Sequence, residues 1–404
     1  MQVNDVVKGF RVVRVRPIEE LHASLWEMVH EKTGAALCWV DRKDANKAFS
    51  IAFKTLPTDS TGVFHIIEHS VLCGSDKYPV KEPFVELLKS SVRTFLNAFT
   101  YPDKTVYPVS SRNDRDFLNL IDVYLDAVLH PLIYHKPEIF RQEGWRYEGE
   151  GESLCYQGVV FNEMKGAFAS PQTVMYNEIQ RLLFPDNCYR HVSGGDPQCI
   201  PDLTYEQFIA SHKKHYHPSN ARISLVGSID VDAVLGKIDS FLSAYERQEA
   251  DFTIPMQRPA AQVTEEVPFE IGADEPKDGR AIIASATLLG TFETAERNYA
   301  ALRCISSSRG TSRRIMQVMV RPCLASSLSR ISAWATLRGN PSKRMPQSLW
   351  AMALSIISTT MSSLTSCPAS MMSLIRKPRG VLSAISFRSS SPVEICWRPK
   401  RSTI

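Results

Sequence analysis

The chain has 404 residues with 44% hydrophobic side chains and nine Cys, enough to bury sizeable cores, which excludes a disulfide-stapled miniprotein and a wholly disordered chain. Its formal charge of +4 hides two unlike parts: residues 1–303 carry 32 basic and 42 acidic side chains, residues 304–404 carry 15 and 1. A general affinity for nucleic acid or acidic membrane is thereby excluded for the first three quarters of the chain.

The first 250 residues read as an α+β domain, an antiparallel-rich sheet with helices packed on it. Apolar and β-branched residues predict strands at Phe10 to Val15, Ala35 to Val40 and Phe49 to Phe53, antiparallel because the links are short. A mostly apolar helix is predicted over Thr61 to Cys73 with Gly74 as its stop, and a second from Pro83 to Ser90, opened by Pro. Two strands, Thr94 to Thr100 and Thr105 to Ser110, follow around the turn Tyr101-Pro102-Asp103-Lys104.

Asn113 to Leu129 is the clearest helix, with Asn113 as N-cap and Phe117, Leu120, Ile121, Tyr124, Leu125 and Val128 on one face. Further helices are expected at Gly158 to Ala169, Pro171 to Phe184, Tyr205 to Tyr216 and Val231 to Tyr245, with a strand at Ala221 to Gly227. The polar, Pro-containing stretch Gln248 to Lys277 reads as a linker. A strand at Ala281 to Leu288 and a helix starting near Glu293 then open a second domain.

From Cys304 the composition changes. That segment holds 23 Ser, no Asp, His or Tyr, one acid (Glu394) and seven of the twelve Met. The nine Cys form no CxxC pair, and no basic segment with an apolar run opens the chain. Reduced thiols in a cytoplasmic protein are expected. No apolar stretch approaches a membrane span, the nearest being Leu349 to Ile357.

The chemistry centres on His65-Ile66-Ile67-Glu68-His69. On a helix, residues four apart share a face, so the two imidazoles can meet one metal ion with Glu68 beside them to take a proton from water. This is the H-x-x-E-H order. Ile66 and Ile67 predict a buried opposite face. Catalytic zinc needs a third protein ligand, and Glu163, in the largely apolar run Val159-Val160-Phe161-Asn162-Glu163-Met164-Lys165-Gly166, is the leading candidate, since an unpaired buried charge would be costly there. Glu138 and Glu143 compete, and spacing does not choose between them. The other eight His read as structural or surface residues. Lys213 and Lys214 beside His212, His215 and His217 oppose a second cation site.

The same motif followed by Ser70-Val71-Leu72-Cys73-Gly74-Ser75, then Pro83-Phe84-Val85-Glu86-Leu87-Leu88-Lys89, Phe95-Leu96-Asn97-Ala98-Phe99-Thr100-Tyr101-Pro102-Asp103, Gln142-Glu143-Gly144-Trp145, Asn162-Glu163-Met164-Lys165-Gly166 and His217-Pro218-Ser219-Asn220 closely resembles the presequence-protease branch of the pitrilysin (M16) metallopeptidases. The matches run in order across roughly residues 9 to 300. The resemblance implies a pitrilysin-like fold and a zinc endopeptidase for short, unfolded peptides. It implies one Zn2+ per chain held by His65, His69 and Glu163, Glu68 as general base, and an edge strand at Asn97 and Ala98 along which a peptide main chain aligns.

The domains expected are a catalytic domain at 1–250, a linker at 251–277, the start of a second similar domain at 278–303 and an anomalous Ser/Arg-rich tail at 304–404. Members of the branch are about twice this length or more, and their second half supplies an Arg and a Tyr to the substrate. The likeness stops near Arg303 to Cys304, as out-of-frame translation would make it stop. Three readings remain open. The first is a zinc endopeptidase; the second is a truncated, inactive or partner-dependent zinc- and peptide-binding fragment that needs a separate C-terminal half. The third, nucleic-acid binding, rests on the basic tail alone, and no nucleic-acid partner is expected.

Overall fold

In the computed structural model, residues 1–81, 83–258, 263–270, 272, 281–286, 288, 315–318 and 383–389 are described. The main sheet has nine strands: β1 (Val6–Val7), β2 (Phe10–Ile18), β3 (Ala23–His30), β4 (Ala36–Asp41), β5 (Lys47–Lys54), β6 (Arg93–Leu96), β7 (Phe99–Thr100), β8 (Lys104–Ser111) and, after a short β9–β10 hairpin (Arg146–Glu148 and Cys155–Gln157), β11 (Ala221–Val226). Their order is β1-β2-β3-β4-β11-β5-β8-β6, with β7 also paired to β8. The successive pairs joined by short links, β1–β2, β2–β3, β3–β4 and β7–β8, are antiparallel, as expected from link length; β5 and β6 also pair antiparallel with β8. β11 departs from this: it inserts between β4 and β5, parallel to β4 and antiparallel to β5. Nothing local in residues 221–226 specifies that slot.

Strand β3 is not among the predicted strands. Its alternation is broken by Glu27, which is 7% exposed and is held there by Arg14 and Arg16 of the neighbouring strand. A charge-assisted pair of this kind lets a carboxylate occupy a strand position that composition assigns to an apolar residue.

The helices are α1 (Val63–Val71), α2 (Pro83–Ser90), α3 (Asp114–Leu129), α4 (Pro137–Glu143), α5 (Val159–Phe168), α6 (Pro171–Leu183), α7 (Tyr205–His215) and α8 (Val231–Leu242). Each matches a predicted helix to within a few residues, except α4, which was not predicted. In α3 the Asn113 side chain accepts the Asp116 N–H at 3.0 Å, a cap of about 1 kcal/mol. Its six predicted apolar residues are all at most 1% exposed, each contributing roughly 1.5–3 kcal/mol by burial. They join α1, the sheet and α8 in one hydrophobic core.

The expected strand 94–100 is interrupted between β6 and β7 at Asn97 and Ala98, while the predicted turn closes with Tyr101 N–H donating to Lys104 O at 2.8 Å. Within the stretch expected as a linker lies strand β12 (Thr264–Phe269), which with β13 (Ala281–Ala286), β14 (Ile315–Val318) and β15 (Ser383–Ser389) forms a second sheet in the order β12-β15-β13-β14. The helix expected near Glu293 lies outside the described residues. Among the described residues, no helix is long and apolar enough to cross a membrane.

Candidate metal centre

Helix α1 carries the centre and is buried almost all round: Ile66 and Ile67 are fully buried, and His65 and Glu68 are only 9% and 8% exposed. It starts after Gly62, whose φ of 69° is left-handed, and ends ahead of Gly74, whose φ is +132°. These are conformations that glycine adopts without steric cost. The His65 and His69 rings lie edge to face with centroids 5.0 Å apart.

Both Nε2 atoms face one carboxylate. His65 Nε2 is 3.9 Å from Glu163 Oε1, and His69 Nε2 is 3.8 Å from Glu163 Oε2. The three ligand atoms lie within 4.8 Å of one another, and no other group of three or more such donors occurs among the described residues. Two zinc–ligand bonds of about 2.0–2.2 Å span at most about 4.3 Å, so each His–Glu separation fits a single ion.

The far side of each ring is also engaged. His65 Nδ1 is 2.8 Å from Gly194 O. Because a carbonyl only accepts, Nδ1 carries the hydrogen and the Nε2 lone pair points at Glu163. His69 Nδ1 is 3.3 Å from Glu143 Oε2, with the same consequence. Burial disfavours a charged His69 ring, but the Glu143 hydrogen bond and the charges of Glu68, Glu143 and Glu163 outweigh it and raise the His69 pKa. A more basic imidazole is a stronger donor to a metal. The donor set and its outer partners therefore suit zinc, with three protein ligands and one open position.

Burial raises the Glu68 pKa, opposed by a hydrogen bond from the Thr100 hydroxyl and by the charges of His65 and His69. Thr100 Oγ1 donates to Glu68 Oε2 at 2.6 Å. Glu68 is thus held on the same helix as both His, with its carboxylate toward the β7 edge.

Of the competing acids, Glu138 lies in the exposed first turn of α4 and is not in the donor group, while Glu143 backs His69. The burial expected for Glu163 is corrected: its side chain is 55% exposed. Helix α5 turns Val160 and Phe161 into the core and leaves Asn162 and Glu163 on the open face, so an apolar stretch of sequence does not imply an apolar setting for each residue in it.

Asn97 is exposed and Ala98 buried at the sheet edge, where, among the described residues, β6 and β7 pair only with β8. Asn97 Oδ1 accepts the Ala98 N–H at 2.9 Å, and the buried Tyr124 donates its hydroxyl to Asn97 O at 3.2 Å. His212, His215 and His217 are buried and turned to other partners. His212 bonds Tyr134 and the Val128 carbonyl, His215 donates to Ser211 O, and His217 accepts from Ser219 N. The five described cysteines form no disulfide, and burial pushes Cys38 up to about 12, which leaves it an inert thiol.

Sequence reasoning missed Thr100 and Gly194. Neither residue type announces a role, and Gly194 lies 129 residues from the ring it orients. Glu143 was legible only as one acid among several.

Comparison with known proteins gives two family matches: "Insulinase (Peptidase family M16)" over residues 56–170 and "Peptidase M16 inactive domain" over residues 202–304. The chain is 51% identical over 278 residues to Protein HypA of Clostridium perfringens, covering 68% of this chain and 28% of that protein. It is 51% identical over 240 residues to presequence protease 1, chloroplastic/mitochondrial, of Arabidopsis thaliana, covering 59% and 22%. With the mitochondrial presequence protease of Mus musculus it shares 45% over 262 residues, covering 63% and 25%. A crystal structure of pitrilysin aligns with a TM-score of 0.48 at 17% identity, covering 69% of this chain and 27% of that one. The chain spans about a quarter of the length of the curated relatives it matches.

Proposed function

Since the chain belongs to the peptidase M16 family, we propose that it carries the metal centre of a zinc-dependent endopeptidase acting on short, unfolded peptides. The observation that carries this reading is the convergence of His65 Nε2, His69 Nε2 and the Glu163 carboxylate, with Glu68 on the same helix. Zinc held by His65, His69 and Glu163 would supply a water of pKa about 7 and polarise the scissile carbonyl. Glu68 takes the water proton on its carboxylate and returns it to the leaving amine. Its raised pKa suits a group that must both accept and release a proton near neutrality. Thr100 holds Glu68 Oε2, and Gly194 O and Glu143 hold the two rings in the ligating tautomer. The β6–β7 segment, interrupted at Asn97 and Ala98, is the edge along which an extended peptide main chain would align.

The test is Glu68→Gln. Zinc content stays at one per chain while cleavage of an unstructured peptide falls by roughly 10²- to 10⁴-fold. Full cleavage by the variant overturns the reading.

A second reading is favoured by two observations: the chain spans only about a quarter of its relatives, and Glu163 stands open at 55% exposure. Here the chain binds zinc and peptide but cleaves only with a separately supplied C-terminal half. Zinc without cleavage by the chain alone, restored by that half, selects it. Residues 304–404 belong to neither reading. The second family match ends at residue 304, where the composition changes, and we read the tail as out-of-frame translation rather than an evolved domain, although its short strands β14 and β15 pair with β12 and β13.

A further inference from the structure

Two segments far apart in sequence meet behind His65. Gly62, the residue before α1, and the turn at Gly194 and Gly195 approach so closely that a Cβ on Gly62 would stand 2.6 Å from Gly195 Cα and 2.8 Å from Gly194 O. Both Gly62 and Gly195 have positive φ, 69° and 102°, so each is needed for its backbone angle as well as for its bareness.

Hydrogen bonds clasp the two segments. Asp196 N–H donates to Ser60 O at 2.8 Å and Val192 N–H donates to Ser60 Oγ at 3.2 Å. The turn closes on itself through Gly195 N–H to Val192 O at 2.9 Å. It is anchored onward where Asp196 O accepts from Cys199 and Ile200, Ile200 being fully buried. The turn touches both ligand-bearing helices. Gly194 O meets His65 Nδ1 at 2.8 Å, and a Cβ on Gly194 would lie 3.1 Å from Met164 Sδ and Cε, the side chain that follows Glu163 on α5.

We infer that this Ser60–Gly62 and Val192–Asp196 clasp is a positioning element that keeps the His65 hydrogen on Nδ1 and its Nε2 lone pair aimed at Glu163. Gly62, Gly195 and Ser60 act through His65 and touch no reacting atom. Were the carbonyl of Gly194 displaced, the ring could carry its hydrogen on either nitrogen, and part of the population would present an N–H to the metal. The inference rests on the metal-centre reading for its purpose but not for its measurement.

The steric pattern distinguishes the glycine of the clasp from one remote from it. Gly62→Ala meets backbone, which cannot yield cheaply. Gly236→Ala, in α8 and away from the clasp, meets nothing nearer than the flexible Lys8 side chain at 3.7 Å, and Gly236 has no positive φ, so the fold accommodates it. The experiment uses the full chain, reading the His65 tautomer in metal-free protein from ring ¹⁵N shifts and zinc affinity by chelator competition, with circular dichroism to check folding. Wild type shows the Nδ1–H form. Gly62→Ala shows mixed tautomers and zinc binding weaker by about 10- to 100-fold, while Gly236→Ala stays near wild type.

If Gly62→Ala does not fold, Ser60→Ala, which removes only the Val192 acceptor, decides: a shifted tautomer supports the clasp, and an unchanged one overturns it. A folded Gly62→Ala with wild-type tautomer and affinity also overturns it, as does an equal loss in Gly236→Ala. A wild type that shows the Nδ1–H form but binds no zinc removes the metal-centre reading and leaves the clasp standing.

Discussion

Glu143 and His69 form a carboxylate–imidazole pair across the α4–α1 contact, Oε2 to Nδ1 at 3.3 Å. The carboxylate is only 6% exposed, and its Oε1 also accepts from Gln142 Nε2 at 2.9 Å and Cys73 Sγ at 3.5 Å. Burial alone would raise the Glu143 pKa, but these donors hold it below the ordinary value. Glu143 is therefore a fixed, ionised acceptor behind a metal-facing ring.

Replacing Glu143 by Gln keeps the shape and one acceptor oxygen but removes the charge. Zinc affinity is expected to fall about 10-fold, and Glu143→Ala to fall toward about 100-fold, both measured by chelator competition. Unchanged affinity in the folded Ala variant would show that His69 is oriented by packing alone.

Thr100 sets the other carboxylate. Its hydroxyl lowers the Glu68 pKa against the upward push of burial. Thr100→Val removes the donor and leaves the shape, so Glu68 becomes harder to ionise. The acid limb of the kcat/KM profile moves to higher pH, measured in whichever assembly cleaves peptide. An acid limb that stays put or moves down would break the link between Thr100 and the base.

His212 makes stability depend on pH. The ring is 2% exposed, accepts the Tyr134 hydroxyl at 2.7 Å and donates to Val128 O at 3.1 Å. Burial pushes its pKa down to about 3. The unfolded chain takes up this proton first, from its ordinary value of about 6.5, so the contribution is complete above that pH and is lost progressively down to about pH 3. At pH 5 the loss is about 2 kcal/mol. Urea unfolding near neutrality and at about pH 5 should differ more in wild type than in His212→Gln. An equal difference would exclude His212 as the cause. His215, pushed down to about 4 by burial, acts in the same direction.

The tail reading is checked without protein. The DNA encoding residues 304–404, read in the other two frames, is expected to restore sequence similar to the M16 relatives. Finding none would return the segment to the class of basic, Ser-rich regions.

Helix α3 and the two imidazoles of α1 were legible because they depend on residues three and four apart, and a 3.6-residue period turns such spacing into a shared face. The pairing of β11 was not legible: its six residues read as a strand, but only packing selects the gap between β4 and β5. Glu27 shows the same limit, since a buried acid in β3 is stable only with Arg14 and Arg16 opposite.

For the metal centre, the sequence by itself determined the local half: His65, Glu68 and His69 on one helix, with Gly74 placed to stop it. The tertiary structure alone decided which acid faces the rings, that Glu143 stands behind His69 rather than in front of it, and that Gly194 orients His65. Spacing along a helix is set by backbone geometry within a few residues. The direction of an imidazole hydrogen is set by whatever acceptor the folded chain brings to it, here from 129 residues away.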